Sequence, residues 1–464
     1  MGLKDAFAGK FLVGCAGDVP GGYSPTELAN IKANYNIITP ENSMKPQPTH
    51  PSENVYEFRT PDALVAWCQT NNIKVWGHNL AWHVQTAPWF FLGPDGGPVT
   101  RELAMERLSN HIHTVAGHFK GKLVGWDVVN EAINDGYNGE PDSLRNDSWY
   151  SIIGSNYLTM AFKWAHEADP NAQLYYNDYN IEQGAVKHRG KHAASMSLLK
   201  RMIKDGAPIN GVGIQGHWHL DTDLADVEKA IKDYESLGLK ISISELDVTA
   251  TGGNSGAFTA GGGGALTERQ TTQLRDAIDD AHAKLAPLQD KLSAAEKDVI
   301  AAVLAKSDDA TVRSKLEAVA NIQTEISMLR YAKGVREIAA TVADNQKTNI
   351  TTAPAQTYYS FFGGPQPAAG GRGGGGGFGG GRGGGGAQIT AEDLQKQAQV
   401  YAKLFDIFNR HAKSISRVTF WGISDTRSWR RGQAALVFDG QLQPKPAYQA
   451  ILDVAKGKYT PPQQ

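Results

Sequence analysis

The chain has 464 residues, a formal net charge of −2 and a sequence pI near 6.7, which excludes the global basic field that gathers nucleic acid. Its two cysteines, Cys15 and Cys68, lack zinc-site spacing and read as buried thiols rather than a disulfide. No apolar run approaches the ~20 residues of a membrane span, and the first residues, Met-Gly-Leu-Lys-Asp-Ala-Phe, carry no apolar core of a signal peptide.

Taken in order, strand-like and helix-like runs alternate eight times. Strands are predicted at Lys10–Cys15, Ile37–Thr39, Lys74–Gly77, Leu123–Val129, Gln173–Tyr176, Gly211–Ile214, Leu239–Ser244 and Arg417–Trp421. Helices are predicted at Thr26–Asn34, Pro61–Thr70, Arg101–Phe119, Tyr157–Ala168, Val186–Lys204, Leu224–Leu237, Ala391–Ala412 and Pro446–Ala455. Such alternation argues for parallel βα units, and eight units argue for a closed (β/α)8 TIM barrel. An open doubly wound sheet is the alternative, but no glycine-rich phosphate fingerprint follows the first strand.

The pattern breaks between positions 250 and 389. This stretch begins with the Gly/Ser/Thr-rich Gly252–Gly264 and ends in a Gly/Arg tract up to Gly386, both with linker composition. Between them Val312, Leu316, Val319, Ile322, Ile326 and Leu329 recur at spacings of three and four, the apolar face of an amphipathic helix. Glu268–Leu285 and Leu288–Ala305 are its expected partners. The organisation predicted is a barrel from 1–249 and 390–464, interrupted by a helical insertion at 250–389. The Gly/Arg tract holds only two arginines and one aromatic residue, so a tether is favoured over an RNA-binding segment.

Two glutamates end strand-like runs: Glu131 in Gly125-Trp-Asp-Val-Val-Asn-Glu-Ala-Ile133, and Glu245 in Ile241-Ser-Ile-Ser-Glu-Leu-Asp-Val248. Carboxylates at strand ends stand where an α/β barrel gathers its chemistry, and a pair of them suits acetal hydrolysis, which needs one carboxyl protonated and one ionised. The apolar and aromatic run before Glu131 favours a retained proton. A hydrogen bond from His217 would hold Glu245 ionised, with Asp247 on the same strand face. Polar and aromatic clusters follow most other strands: Pro40-Glu-Asn-Ser-Met-Lys45, His78-Asn-Leu-Ala-Trp-His83, Asn177-Asp-Tyr-Asn180 and Gln215-Gly-His-Trp-His219, then Trp421 with Asp425 and Trp429. His217-x-His219 also has the spacing of a metal pair on an extended run. His111 and His113 fall in a helix-like run and read as surface or packing residues.

These segments, with Thr419-Phe-Trp-Gly-Ile-Ser-Asp425 and Pro444-Lys-Pro-Ala-Tyr448, resemble glycoside hydrolase family 10, the retaining endo-1,4-β-xylanases. The resemblance covers about Leu3–Thr249 and Thr390–Lys456. It implies Glu131 as acid/base and Glu245 as nucleophile, supported by Asn130, His217 and Asp247, acting on xylan and xylo-oligosaccharides with no cofactor and no metal. Glu41, Asn42 and Lys45 would bind sugar hydroxyls on the non-reducing side, with His78, Trp82 and Gln85 lining the same cleft. Gln215 would lie near the nucleophile and Tyr179 on the leaving-group side, with Trp421 and Trp429 as aromatic wall and lid. Two departures stand out: the insertion after strand seven, and Arg430-Arg431 beside the lid tryptophan, which predicts added positive charge there. A secreted or periplasmic location is expected. The rival readings are another β-glycosidase specificity, a non-catalytic carbohydrate-binding barrel, and a metal-dependent hydrolase.

Overall fold

A computed structural model describes residues 1–94, 97, 99–135, 143–250, 287–288, 291–292, 294–328, 389–430 and 432–460. It divides into two units, Met1–Gly253 with Gly383–Gln464, and Asn254–Arg382.

The first unit is a closed parallel barrel. Its eight strands are β1 (Leu12–Ala16), β2 (Ile37–Thr39), β3 (Lys74–Ala81), β4 (Gly125–Asn130), β5 (Gln173–Asp178), β6 (Gly211–Ile214), β7 (Lys240–Val248) and β8 (Ile415–Phe420). Each pairs in parallel with its sequence neighbour, and β8 returns to β1 through Leu12↔Arg417 and Cys15↔Phe420. The eight-fold alternation of the sequence is therefore a (β/α)8 barrel.

Eight helices follow the strands: α1 (Pro25–Asn34), α2 (Arg59–Thr70), α3 (Arg101–His118), α4 (Asn156–Ala168), α5 (Gly190–Lys204), α6 (Leu224–Ser236), α7 (Ala391–Arg410) and α8 (Pro446–Ala455). Local chemistry fixes their starts. The Ser24 hydroxyl accepts from the Glu27 N–H while Glu27 bonds back to the Ser24 N–H, and Pro25 occupies the first helical position. Asp223 caps α6, and Thr390 with Asp393 forms the same reciprocal box on α7. Helix α5 starts four residues later than the periodicity predicts: His188 (φ 50°), two residues before it, and its first residue Gly190 (φ 74°) both have left-handed φ.

Strand β7 is the longest strand and runs past Glu245 rather than ending at it. The N–H groups of Glu245 and Asp247 donate to the carbonyls of Gln215 (2.8 Å) and Gly216 (3.1 Å), and His217–Trp218 pairs with Asp247–Val248. These backbone bonds keep polar residues extended. Beyond the strand, Ala250 N–H donates to Gln433 O (2.9 Å), and the Gln397 side-chain amide donates to Val248 O (2.6 Å). The chain is tied to the barrel up to Ala250.

In the second unit, residues 294–304 and Asp309–Ser327 are helical, the latter capped by Asp308. Val319 and Ile326 are buried as the apolar spacing predicts, whereas Leu316 is 51% exposed. Leu329 and the predicted helix Glu268–Leu285 lie outside the described residues.

Cys15 and Cys68 are buried free thiols. His111 is buried, its Nδ1 3.2 Å from that of His50, so it is a packing residue, while His113 is partly exposed and bonds Glu167. The core leaves no slack where strands meet bulky rings: a Cβ on Gly77 would lie 2.2 Å from the Trp126 ring. Because Trp126 is itself buried, Gly77→Ala should destabilise the barrel by about 1–3 kcal/mol; an unshifted denaturation midpoint would contradict this packing.

Candidate active site

Glu131 follows the last residue of β4 and has φ 58°, a conformation uncommon for a side chain this long. Neighbours fix this turn. Glu131 N–H donates to Asn177 O (2.9 Å), Arg145 Nε donates to Glu131 O (3.2 Å), and the next two N–H groups donate to the Tyr176 hydroxyl (3.1 and 3.2 Å). The carboxylate accepts one bond at each oxygen, from Trp82 Nε1 (2.8 Å) and Gln215 Nε2 (2.9 Å). Burial pushes its proton affinity above the usual range, helped by the charges of Asp178 and Glu245, and the two donors only partly oppose this.

Glu245 has the opposite setting. One oxygen accepts from Asn177 Nδ2 (2.9 Å) and the other faces His217 Nε2 (3.2 Å). Burial alone would raise its affinity, but the His217 bond, the positive potential of His78 and His217, and the Asn177 bond together hold it below the ordinary carboxylate value. His217 in turn binds Asp247 through Nδ1 (2.9 Å). Burial pulls the imidazole down, yet the Asp247 charge and hydrogen bond, with those of Glu245, raise it to about 9. At neutral pH a charged imidazolium thus bridges two carboxylates.

Asp247 has no exposed surface and is shared by three groups. Besides His217, it accepts from Trp429 Nε1 (2.9 Å) and forms an ion pair with Arg430 Nε (2.7 Å). Arg430 also lies over the Trp429 ring (4.8 Å). The positive charge expected on the lid is therefore directed inward onto Asp247 at Arg430; Arg431 lies outside the described residues. Trp429 is 56% exposed and meets His217 edge-on, while Trp421 is buried and meets His78 edge-on.

The remaining predicted residues gather around this pair. Lys45 Nζ donates to Asn42 Oδ1 (3.1 Å) and sits over the Trp82 ring (5.0 Å), while Gln85 Nε2 reaches the same Asn42 oxygen (3.4 Å). Burial lowers Lys45 and raises Glu41, the latter also through Asp18. Asn130 accepts from Asn177 Nδ2 (2.8 Å), and His78 bonds Asp127 (2.9 Å). Tyr179 bonds Asp135 and accepts from Arg145 Nη2 (3.0 Å). Gln215 adjoins Glu245 through its backbone, but its side chain serves Glu131.

His217 and His219 do not converge on a common point, since His219 Nδ1 pairs with Thr249 (2.9 Å). Among the described residues no group of three or more His, Cys, Asp or Glu is arranged to hold a metal. Several contributors carried no assigned role in the sequence reading. Asn177 links Asn130 to Glu245, Asp178 lies behind Glu131, and Asp127 ties His78 to Trp76 (2.9 Å). Asn177 and Asp178 stood in a polar cluster after a predicted strand, which was the available signal. Lys191, paired with Asp178 at 2.8 Å, had none.

The family model described as glycosyl hydrolase family 10 matches residues 2–291 and 383–454. The chain belongs to this family. An endo-1,4-beta-xylanase A from Caldicellulosiruptor is 39% identical over 255 residues, covering 53% of this chain and 36% of that protein. The exoglucanase XynX of Acetivibrio thermocellus is 29% identical over 98% of this chain and 29% of its own length, so the chain spans about a third of these two relatives. An endo-1,4-beta-xylanase B from Paenibacillus barcinonensis is 39% identical over 53% of this chain and 72% of its own length. Among solved structures, an intracellular xylanase from Thermoanaerobacterium saccharolyticum in complex with xylotetraose superposes with a TM-score of 0.63 at 27% identity over 97% of each chain. Xylanase B from Clostridium stercorarium gives 0.65 at 25% identity, covering 97% of this chain and 99% of that one.

The His217 bridge has a consequence for stability. Its proton affinity is higher folded than unfolded, so its contribution is complete below pH 6.5 and lost as pH rises through about 9. The loss should reach up to about 3 kcal/mol, and denaturation midpoints measured from pH 6 to 10 should fall less steeply for His217→Asn than for the wild type.

Proposed function

We propose that the barrel is a retaining endo-1,4-β-xylanase that hydrolyses internal β-1,4-xylosidic bonds of xylan by double displacement. One observation carries this reading: within one site, Glu131 is held towards its protonated form and Glu245 towards its ionised form. That is the division of labour a glycosidase needs. Glu245 attacks the anomeric carbon while Glu131 protonates the departing glycosidic oxygen. Glu131, now a carboxylate, removes a proton from water as it attacks the glycosyl-enzyme, restoring both groups. Retention expects the two carboxyl groups to stand about 5–5.5 Å apart.

His217 and Asn177 orient the nucleophile, and Asp247 holds the imidazole charged. Glu41, Asn42, Lys45, His78, Trp82 and Gln85 form the wall for sugars on the non-reducing side. Asn130 faces the 2-hydroxyl next to the cleaved bond, Tyr179 the leaving group, and Trp421 and Trp429 the flanking aromatic surfaces. Xylanase names among the relatives and xylotetraose bound to a structural neighbour support the substrate class. Because xylan is a large polymer, a secreted or periplasmic location belongs to the same proposal, although one structural neighbour is described as intracellular.

Glu245→Ala should abolish turnover of an aryl β-xyloside, and added azide should then yield the inverted glycosyl azide; wild-type rates in this variant would refute the assignment. Glu131→Ala should lose about 10²–10⁴-fold on xylan, measured as reducing ends released. Because one relative is named an exoglucanase, kcat/KM on xylan and on carboxymethyl cellulose decides between xylan and glucan specificity. We also propose that residues 1–249 and 390–464 hold the whole catalytic apparatus. Joining the chain across a deletion of 252–386 should leave kcat/KM on soluble xylan within about twofold, whereas a large loss would give the insertion a part in turnover.

A further inference from the structure

Directly behind the proposed proton donor lies a buried ion pair that the reaction scheme above does not use. Asp178, the last residue of β5, has no exposed surface, and its Oδ1 accepts from Lys191 Nζ (2.8 Å) on α5. The Lys191 side chain is 3% exposed. Its ammonium also sits 3.5 Å from the centre of the Tyr179 ring. The other Asp178 oxygen accepts from the Tyr176 hydroxyl (2.5 Å) and from the Ile133 N–H (3.4 Å). The first oxygen also accepts from the Tyr179 N–H (2.8 Å).

These contacts converge on the two segments flanking the leaving-group position. The Ala132 and Ile133 N–H groups point to the Tyr176 hydroxyl, and Asp178 orients that hydroxyl. The left-handed turn that aims Glu131 is thus braced by a carboxylate with no surface of its own. A buried charge is retained only when paired and fully hydrogen-bonded, and here Lys191 supplies the pairing.

We propose that the Asp178–Lys191 pair is a positioning device for the proton donor, holding the turn that carries Glu131 and keeping a negative charge behind it so that its proton is retained until the leaving oxygen needs it. This rests on Glu131 acting as the acid/base. Asp178 is the strongest charge acting on Glu131, ahead of Glu245. Burial pushes the Asp178 carboxyl above its ordinary value, and Lys191 and Tyr176 oppose this only in part; the 2.8 Å ion pair with Lys191 is what favours its charged form. The other charged groups around Glu131 are Arg145 at its carbonyl, Asp135 bound to Arg145, Lys45 from the β2 loop, and Glu245 with His217 from β7 and its neighbouring loop. His83, in the β3 loop, is electrically coupled to Arg145, Asp135 and Lys191 and is held neutral by burial, at about 3. None of them shares the hydrogen bonds by which Asp178 reaches the Glu131 turn.

The test is Asp178→Asn, which keeps the shape and removes the charge, together with Asp178→Asn/Lys191→Met, which leaves no unpaired lysine should the single variant fail to fold. The alkaline limb of the kcat/KM profile on xylan should move down by about 0.5–1 pH unit in each folded variant. The loss should be at least about tenfold greater on xylan than on a 2,4-dinitrophenyl β-xylobioside, whose leaving group needs no proton. An unmoved or raised limb, or equal losses on both substrates, would reduce the pair to a structural role. If Glu131→Ala leaves wild-type turnover of xylan unaffected, the acid/base reading fails first, which separates the two failures.

Discussion

The charged imidazole of His217 between Glu245 and Asp247 is the interaction on which the site depends. A carboxylate as buried as Glu245 would ordinarily take up a proton, which would disable it for the nucleophilic role proposed above. The imidazolium prevents this, but it is itself costly to bury and survives only because Asp247 lies on its far side. Neither carboxylate nor imidazole is comfortable alone. As a chain of alternating charges they stabilise one another, and Arg430 extends the alternation outward by one more member.

The barrel supplies the geometry for this. Glu245 and Asp247 alternate along one extended strand, so both side chains emerge on the same side. The short His217–Trp218 ladder beside them sets the ring between the two carboxylates. Glu131 is placed differently: it stands in a left-handed turn off the end of β4, and the end of β5 props that turn. One carboxyl is thus carried on a strand whose pairing with β8 shifts register between Ile243 and Leu246, and its partner on a left-handed corner. Their separate supports let the surroundings push their proton affinities in opposite directions.

Much of this was legible in the chain. Apolar runs of the right length, alternating with amphipathic ones, are what parallel βα units require, so strand count and order followed from pattern. The glutamates and histidines were visible because polar residues after buried strands are conspicuous. Strand ends were less legible: β7 continues through Glu245 and Asp247 because distant backbone, not propensity, pairs them. Asp178 and Lys191 were hidden for a related reason. A buried ion pair between a strand end and a helix thirteen residues later has no periodic trace, and the left-handed His188–Gly190 turn that brings Lys191 inward appears only in the folded chain.

The way β7 leaves the barrel has a bearing on engineering. Val248 and Ala250 are held by Gln397 and Gln433, while the returning helix starts with its own capping box at Thr390. The chain just before residue 251 and just after residue 388 is secured by contacts within the first unit. For a protein engineer that makes this junction a natural docking bay: a reporter, an affinity module or a second enzyme spliced in there would sit a few residues from Glu245 while its tethers pull on anchored chain rather than on the proposed nucleophile itself.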